Sequence, residues 1–594
     1  MEKYKSFHFS PDNNRSMLMP RIPRGAAYTP PPRHAGRELF EPVSDKLLDG
    51  KDPYFQLNTG LTSKKITING RERNYGVYVP GQMTSKGAAL LVFPDSGIRA
   101  EEWIEQDNWK ALAEEFHTAL LILESSNWDK NVLDQEFDYA WNVVQLEFGQ
   151  RPTVDICESF IYPIGLGDGA YMAAAFALTY SATFPAFAAD GDCSLDPELL
   201  QVLRSLPSDG IVSRKKTEIA ISGFLIDRSG RAEETFSYMK EILHAEEAGL
   251  KNRYGKVFLE RPRRGAYFVN EQPISQVWLA EHRSTETLTR GEWNRAMVEF
   301  VLRFARWGGF GNNHLRPKRT HSDIGLERVY QEINGLPRYW DIFVPSCYRP
   351  GDGRTYPLVV AIHGMSCNSQ YFAETSDWHR LAEERGFFVC YASAFPHNDG
   401  LTKFPIPHWA LGAMGLPEKD ELSYFRRMLD YMEETYPIDR KRIYAAGHSN
   451  GSQMTQKLAR EMPERFAAFG PTGALDGWDP KQVKEIPGNL QRPVWFMMGQ
   501  YDICDSDPGE GSIARATLEA YCRVNGVKPQ YQNWYDNGNY HTLVMYDDKH
   551  VPAVCYTIIR DCPHTYTAEM AQLTWDLFFC HFEREEDGSV SYHG

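Results

Sequence analysis

A serine in the C-terminal half of the chain lies in the residue pattern of an activated nucleophile. The segment RIYAAG (442–447) has the apolar, β-prone composition of a strand, and SQMTQKLAREM (452–462) has apolar residues at helical spacing. Between them, Gly447 and Gly451 flank Ser449 in a G-x-S-x-G turn, where a larger residue would clash with neighbouring backbone. Such a turn holds the hydroxyl at the end of a sheet and at the positive end of a helix. We predict that Ser449 is the nucleophile of an acyl-transfer reaction, rather than part of an ordinary tight turn.

An acyl-transfer serine needs hydrogen-bond donors for the oxyanion that forms in the reaction. In a strand-turn-helix elbow, one donor is the backbone N–H of the residue after the nucleophile, which is Asn450 here. The second donor is expected in the loop after the apolar strand LVVAI (358–362), where Met365 or Ser366 supplies the N–H. The alternative for this His-Gly-Met-Ser loop is a simple turn that ends the strand.

The acid of a catalytic triad is expected downstream of the serine, because the chain order in this type of fold is Ser, acid, His. Asp502 is the first carboxylate after the buried strand PVWFMMG (493–499). Asp505 and Asp507 are rivals on the same loop, and we favour Asp502 because it lies nearest the end of the strand.

The base is expected at the end of the last long strand. His564 follows the strand-like AVCYTII (553–559) and precedes a closing helix. The other downstream histidines lie before that strand or within the helix: His541, His550, His581. We predict that His564 takes the proton of Ser449, while Asp502 holds the imidazole in one tautomer and stabilises its cation. An acyl-enzyme then forms and water hydrolyses it. The alternative for His564 is a histidine in a polar loop.

A long apolar loop at 400–416, GLTKFPIPHWALGAMGL, is a candidate wall of the substrate pocket. Its alternative role is to pack against the N-terminal half of the chain. Five side chains from this loop and from neighbouring loops are predicted to contact substrate: His363, Phe404, His408, Trp409, Trp478.

The elements that must position these residues are found twice in the chain. Two long stretches alternate strand and helix patterns, which is typical of a mostly parallel sheet covered by helices on both faces. The stretches also resemble each other in sequence: YGVYVP (75–80) with WDIFVP (340–345), ALLVFPDSG (89–97) with VVAIHG (359–364), FIYPIGLGDG (160–169) with RIYAAGHSNG (442–451). We predict two tandem α/β-hydrolase domains, over 56–310 and 325–594, preceded by an extended arm over 1–55 that includes the proline run at 30–32.

The first copy lacks the nucleophile. Gly167 stands where Ser449 stands in the second copy, so the first domain is predicted to be non-catalytic and to stabilise the second domain or wall its pocket. A shifted alignment would make Asp168 a nucleophile, but it would put larger residues at the glycine positions. His282 precedes a tryptophan by the same eleven residues as His564, and Asp227 could match the acid loop.

Composition excludes several classes of partner. The formal charge is −15, and no basic run is longer than a few residues, so nucleic acid is not expected as a partner. No stretch reaches eighteen apolar residues, and the first seventeen have no apolar core of a leader, so we expect a cytoplasmic protein that does not enter membranes. None of the ten cysteines forms a C-x-x-C pair, and we expect neither a metal nor a disulfide framework. Association into a homo-oligomer stays open.

The C-terminal motifs resemble those of the polyhydroxybutyrate depolymerase-like esterases, which are α/β-hydrolases related to feruloyl and acetylxylan esterases. The resemblance covers about residues 325–585 and rests on four runs: PLVVAIHG, LAEERGF, YPIDRKRIYAAGHSNGSQM, DCPHTYT. It implies Ser449, Asp502 and His564 as the catalytic residues, with no metal and no organic cofactor. The extra N-terminal copy and the missing leader depart from secreted members and put a large extracellular polymer substrate in doubt.

The predicted function is hydrolysis of carboxylic esters: hydroxyalkanoate, feruloyl or acetyl esters, as small molecules or oligomers. Two alternatives stay open. A serine peptidase of the same fold would use the same triad, and a binding protein would use neither copy for catalysis.

Overall fold

The computed structural model describes residues 39–181, 183–205, 221–246, 249–261, 274–282, 286, 288–306, 315–412, 416–502, 506–528, 530 and 532–594. The chain divides into two compact units. The N-terminal unit contains Pro42–Lys318 and Thr402–Phe404, and the C-terminal unit contains Arg319–Leu401 and Pro405–Gly594.

The N-terminal unit alternates strands and helices along most of its length. Its strands are β1 Gly60–Ile68, β2 Arg71–Val79, β3 Gly87–Phe93, β4 Ala119–Leu123, β5 Ile156–Gly167, β6 Ala186–Gly191, β7 Ser222–Asp227, β8 Leu250–Asn252, β9 Gly255–Leu259, β10 Gln276–Ala280, β11 Phe304–Arg306 and β12 Leu315–Pro317. Its helices are α1 Asp45–Leu48, α2 Ala100–Trp103, α3 Trp109–Glu115, α4 Leu133–Gln150, α5 Gly169–Thr179, α6 Pro197–Ser205, α7 Glu233–Leu243 and α8 Arg290–Val301.

The C-terminal unit repeats this alternation. Its strands are β13 Leu326–Ile333, β14 Leu336–Phe343, β15 Tyr356–Ile362, β16 Phe388–Ala392, β17 Pro396–His397, β18 Ile406–Pro407, β19 Ile438–His448, β20 Ala468–Thr472, β21 Val494–Tyr501, β22 Gln532–Asn537, β23 Tyr540–Met545, β24 Val554–Pro563, β25 Phe582–Arg584 and β26 Val590–Tyr592. Its helices are α9 His321–Ile324, α10 Ser369–Ser376, α11 Trp378–Arg385, α12 Leu422–Thr435, α13 Asn450–Glu461, α14 Ile513–Asn525 and α15 Ala568–Leu577.

The described strands build two large sheets with the same strand order. One runs β1-β2-β4-β3-β5-β6-β7-β10-β9-β8, and the other runs β13-β14-β16-β15-β19-β20-β21-β24-β23-β22. In the second sheet the strands from β16 to β24 are parallel, and the pairs at either end are antiparallel. The prediction of two tandem α/β-hydrolase domains is therefore confirmed, with antiparallel margins added to the parallel centre.

Burial on both faces explains why the central strands read as continuous apolar runs. In β15, the side chains of Leu358, Val360 and Ile362 join a core that includes residues of α12, α13 and α14. Val359 and Ala361 alternate with them and are also fully buried, so they face the opposite side of the sheet. This sandwiched centre brings the carboxyl ends of β15, β19, β21 and β24 to one edge, where the loops can converge.

The predicted limits of the domains remain predictions. The division between the units lies at Lys318 and Arg319, inside the stretch where the sequence suggested a boundary, while much of the predicted arm (1–38) lies outside the described residues. Within the described ranges, no helix is both long and apolar enough to cross a membrane. The same ranges contain no group of three His, Cys, Asp or Glu side chains that could hold a metal ion.

Candidate active site

Ser449 lies at the apex of a strained turn between β19 and α13. Its φ of 57° and ψ of −121° are unusual for a residue with a side chain. A Cβ on Gly447 would lie 2.3 Å from the carbonyl oxygen of Gly451, and one on Gly451 would lie 2.2 Å from that of Ile362. Both glycines are therefore required by close backbone approach, and the turn presents the serine at the carboxyl end of the sheet.

The structure brings Ser449, His564 and Asp502 together from three different loops. His564 Nε2 lies 2.9 Å from Ser449 Oγ, and His564 Nδ1 lies 2.7 Å from Asp502 Oδ1. Asp502 is 1% exposed, whereas the His564 side chain is 19% exposed. A buried carboxylate thus orients a histidine that remains accessible beside the serine. This is the hydrogen-bonded order that nucleophilic catalysis requires.

The other candidate acids and bases form contacts elsewhere in the unit. Asp507 is exposed and accepts the backbone N–H of Gly509 at 3.0 Å, while Asp505 lies outside the described residues. His541 Nδ1 is 2.9 Å from Asp536 Oδ1, and its ring stacks on Trp534. His581 Nδ1 is 2.9 Å from the carbonyl oxygen of His593, and His550 is an exposed turn residue with φ 61°.

Two of the three predicted oxyanion donors keep their N–H groups available. Within the described part of the chain, the backbone N–H groups of Met365 and Asn450 donate to no other group. Ser366 is a correction: its N–H donates to the carbonyl oxygen of Pro407 at 2.7 Å, so it is already used inside the fold. Gly364, before Met365, adjoins the nucleophile, since a Cβ built on it would lie 3.2 Å from Ser449 Cβ.

His363, His408 and Trp409 were predicted to contact substrate, and the structure places all three in the interior. Each is at most 1% exposed. His363 Nε2 accepts the N–H of Ala394 at 2.9 Å, so its Nδ1 carries the proton and donates to the carbonyl oxygen of Gly364 at 2.6 Å. Burial lowers the pKa of His363 to about 4, which keeps it neutral. These side chains hold the loops of the site instead of lining a pocket, because their polar atoms are satisfied internally.

The remaining pocket candidates are less enclosed. Trp478 is half-buried and packs at the margin of the C-terminal core, and its backbone N–H donates to Gln482 Oε1 at 2.7 Å. Phe404 is half-buried, and residues 413–415 of the predicted pocket loop lie outside the described residues. Contact of Trp478 and Phe404 with substrate stays a prediction.

A residue that the sequence reasoning overlooked adjoins the base. The ring of His448 lies 4.6 Å from that of His564 at an interplanar angle of 33°, and its buried Nε2 has no hydrogen-bond partner in the described part of the chain. Burial, followed by the charge of His564, lowers the pKa of His448 well below its usual range. Its position directly before the nucleophile was the available signal.

The matching strand registers identify the corresponding positions in the N-terminal unit. Phe93 of β3 pairs with Gly165 of β5, as Ile362 of β15 pairs with Gly447 of β19. Counting on from these pairs, Asp95 and Ser96 correspond to Gly364 and Met365, Gly167 corresponds to Ser449, and Asp168 corresponds to Asn450. Gly167 has φ 56°, nearly the value of Ser449, so the turn itself is kept.

Carboxylates occupy the space beside the N-terminal turn. The backbone N–H of Ser96 donates to Asp168 Oδ1 at 2.8 Å, and that of Asp168 donates to Asp95 Oδ1 at 3.1 Å. A Cβ on Gly167 would lie 1.5 Å from Asp95 Oδ1. The two N–H groups that correspond to the oxyanion donors are therefore bound to the unit's own side chains, and the place of the nucleophile is filled.

The other chemical candidates of the N-terminal unit do not form a second triad in the structure. Asp168 has ordinary helical angles (φ −75°, ψ −20°), and its carboxylate is bonded to Ser96, so it is not the residue at the apex of the turn. The Asp227 carboxylate accepts backbone N–H groups of its own loop, from Ser229, Gly230 and Ala232. His282 Nδ1 lies 2.7 Å from the carbonyl oxygen of Arg228.

Sequence comparison finds similarity to esterases in the C-terminal unit. Residues 335–489 match the family described as "Putative esterase", a segment that contains Ser449 and ends before Asp502. Acetylxylan esterase A of Aspergillus ficuum is 26% identical over 209 residues, which is 33% of this chain and 59% of that protein. Feruloyl esterase B of Thermothelomyces thermophilus is 29% identical over 112 residues, 19% of this chain and 37% of that protein. The chain thus spans less than two thirds of either relative.

Among solved structures, the acetyl xylan esterase of Aspergillus awamori is 16% identical and has a TM-score of 0.33, covering 42% of this chain and 98% of that one. The strand order of the C-terminal unit is that of an α/β-hydrolase, and part of its sequence is similar to esterases. These two relatives are an acetylxylan esterase and a feruloyl esterase, and the polyhydroxybutyrate depolymerase-like part of the resemblance stays a prediction.

Proposed function

We propose that this protein hydrolyses carboxylic esters at a single centre in its C-terminal unit, with Ser449 as nucleophile, His564 as base and acid, and Asp502 as the orienting carboxylate. The observation that carries the proposal is the continuous hydrogen-bonded chain from Ser449 Oγ through His564 to Asp502, with 2.9 and 2.7 Å contacts. The strained turn that presents Ser449 beside two available N–H groups supports the same reaction.

The proposed reaction has two steps, acylation of Ser449 and hydrolysis of the acyl-enzyme. Ser449 Oγ attacks the carbonyl carbon of the ester while His564 Nε2 takes its proton, and the carbonyl oxygen becomes an oxyanion bound by the N–H groups of Met365 and Asn450. Collapse of this intermediate breaks the bond to the alcohol oxygen, which leaves with the proton from His564. Water then attacks the acyl-enzyme, His564 takes the proton of the water, and the acid is released as Ser449 regains its proton.

The substrate class is proposed from the relatives. Acetyl groups on xylan and feruloyl groups are named for two proteins that this chain resembles, so we propose acetyl esters first and feruloyl esters next. Hydroxyalkanoate esters are the third class to test. The location in the cytoplasm and the absence of nucleic-acid and membrane partners also remain proposals.

The test compares turnover of p-nitrophenyl acetate, p-nitrophenyl butyrate, methyl ferulate and a 3-hydroxybutyrate oligomer by the full chain. Ser449→Ala should lower kcat by about 10⁴-fold or more, because it removes the hydroxyl that forms the acyl-enzyme. Ser96→Ala makes the same chemical change beside the N-terminal turn and should leave kcat unaltered.

A fluorophosphonate probe supplies an independent measurement, since it should label Ser449 and no residue of the N-terminal unit. Undiminished turnover after Ser449→Ala would overturn the proposal. Cleavage of peptide p-nitroanilides with no ester turnover would favour the peptidase alternative, and neither turnover nor labelling by the wild type would favour the binding protein.

A further inference from the structure

The segment between β16 and α12 contacts both elements that supply the oxyanion donors. It contains the short antiparallel pair β17 and β18, in which Pro396 pairs with Pro407 and His397 with Ile406. Trp409 follows β18, is 1% exposed, and reaches the nucleophile turn with its backbone and the end of β15 with its indole.

The first contact involves the residue after the nucleophile. Asn450 Oδ1 accepts the backbone N–H of Trp409 at 2.7 Å, and Asn450 Nδ2 donates to the carbonyl oxygen of Trp409 at 3.3 Å. Two hydrogen bonds in opposite directions between one amide and one residue fix the side chain of Asn450 in a plane. They therefore restrict rotation of the residue whose backbone N–H is an oxyanion donor.

The second contact lies on the other side of the site. Trp409 Nε1 donates to the carbonyl oxygen of His363 at 2.9 Å. Two residues earlier, the carbonyl oxygen of Pro407 accepts the N–H of Ser366 at 2.7 Å. These bonds hold the loop on both sides of Met365, whose N–H is the second oxyanion donor.

We propose that Trp409 is a positioning residue that sets the separation of the two oxyanion donors by binding the Asn450 side chain and the His363 carbonyl at once. The inference rests on the proposed function. Met365 lies in the loop after β15 and Asn450 begins α13, far away in sequence, so only a tertiary contact can fix the distance between their N–H groups. Both groups must lie near 2.7–3.1 Å from one oxygen to stabilise it, and a small displacement of either weakens the transition state.

The segment that carries Trp409 is itself anchored by buried charges. His408 Nε2 lies 2.8 Å from Asp399 Oδ2, and the N–H of Ala410 donates to Glu421 Oε1 at 3.3 Å. Glu421 is also bonded to Arg338 at 2.9 Å. Although burial opposes ionisation, Arg338 and His397 hold the pKa of Glu421 at about 2, so the anchor is charged at neutral pH. Because these contacts hold the segment rigidly, the indole N–H of Trp409 can fix the distance between the two oxyanion donors.

The experiment is Trp409→Phe in the full chain, assayed with p-nitrophenyl acetate. Phenylalanine keeps most of the buried ring and removes the N–H that binds His363. Trp495→Phe is the matched control, because Trp495 is 6% exposed and its Nε1 donates to Thr557 Oγ1 at 2.8 Å in the core of the sheet. Trp409→Phe should lower kcat by about 10- to 100-fold and leave KM within about twofold. The loss is smaller than that for removing one oxyanion donor, because a displaced donor still gives part of the stabilisation.

Asn450→Ala tests the other half of the contact and should give a loss of similar size. The double variant Trp409→Phe/Asn450→Ala should lose little more than the larger single loss, because the two residues act on the same donor geometry. The inhibition constant of an alkyl trifluoromethyl ketone, which forms a tetrahedral oxyanion on the serine, should rise in parallel with the fall in kcat/KM.

The outcomes separate the inference from the proposed function. A kcat of Trp409→Phe within twofold of that of Trp495→Phe, a loss confined to KM, or fully multiplicative losses in the double variant would overturn the role of Trp409 alone. Turnover that survives Ser449→Ala in the same assay would overturn the proposed function and this inference with it. Thermal unfolding of both tryptophan variants shows whether a loss of turnover is only a loss of folded protein.

Discussion

The turns that end β5 and β19 both have a positive φ at the apex, but different groups lie beside them. Gly167 and Ser449 share a φ near 57°, and close backbone approach requires glycine at corresponding flanking positions in both units. Beside Ser449 lie Gly364 and two available N–H groups, whereas beside Gly167 lies the carboxylate of Asp95. The turn is thus a feature of the fold, and the space next to it decides whether the turn can hold a nucleophile and an oxyanion.

The N-terminal unit differs from the C-terminal unit in more than the glycine at the position of Ser449. The N–H groups of Ser96 and Asp168 bind carboxylates that already carry the negative charge an oxyanion would bring. In the N-terminal unit, the carboxylates of Asp168 and Asp95 supply the acceptors for these two N–H groups. The two N–H groups of the N-terminal turn therefore already have acceptors, whereas those of Met365 and Asn450 remain available within the described part of the chain.

The largest expected difference between the units concerns their acids. Asp502→Asn should lower kcat by about 10³- to 10⁴-fold, because an amide at this position favours the wrong tautomer of His564. Asp227→Asn changes a buried carboxylate that accepts backbone N–H groups of its own loop, and it should leave kcat unaltered. Steady-state kinetics with p-nitrophenyl acetate measures both, and equal losses in the two variants would contradict the assignment of one catalytic centre.

A second difference is sensitivity to acid. His363 has a pKa near 4 when folded, because of burial, and an ordinary value near 6.5 when unfolded. As the pH falls from 6.5 to 4, the unfolded state takes up the proton first, so the free energy of unfolding of the C-terminal unit falls, by roughly 3 kcal/mol from this group. The corresponding residue of the N-terminal unit is Pro94, which does not titrate.

Hydrogen exchange of peptides from β15 and β3, corrected for the intrinsic effect of pH, measures this difference at pH 7 and pH 4.5. Protection of β15 should fall more than that of β3. His363→Gln, which keeps a donor and an acceptor but does not titrate, should remove most of the difference. Equal loss of protection in both strands of the wild type would contradict the prediction.

A third and smaller effect comes from placing a serine at the N-terminal turn. Gly167→Ser should destabilise the N-terminal unit by about 2 kcal/mol, since its Cβ would lie 1.5 Å from Asp95 Oδ1 and the positive φ adds strain. In the Ser449→Ala background it should restore no turnover. Urea unfolding measures the loss, and Asp95→Gly/Gly167→Ser should recover part of it. Turnover from Gly167→Ser alone would show that the carboxylates do not block the turn.

The sequence was sufficient to select the three side chains that the structure brings together, because chain order and strand ends carry that information. Ser449 was marked by its flanking glycines, and Asp502 and His564 each follow a buried apolar strand. Parallel strands deliver their carboxyl ends to one edge of a sheet, so residues that follow three such strands meet there. The repeated motifs likewise predicted two sheets, and both adopt the same strand order.

Only the tertiary structure decided which polar groups near the site are already satisfied. His408 and Trp409 lie in an apolar loop that suggested a pocket wall, yet they are buried and bonded within the unit. The N–H of Ser366 is used by Pro407, and Asp95 fills the N-terminal turn. Residue type and spacing identify what a side chain can bond to. The partner it finds depends on which distant segment packs against it, and that is settled when the chain folds.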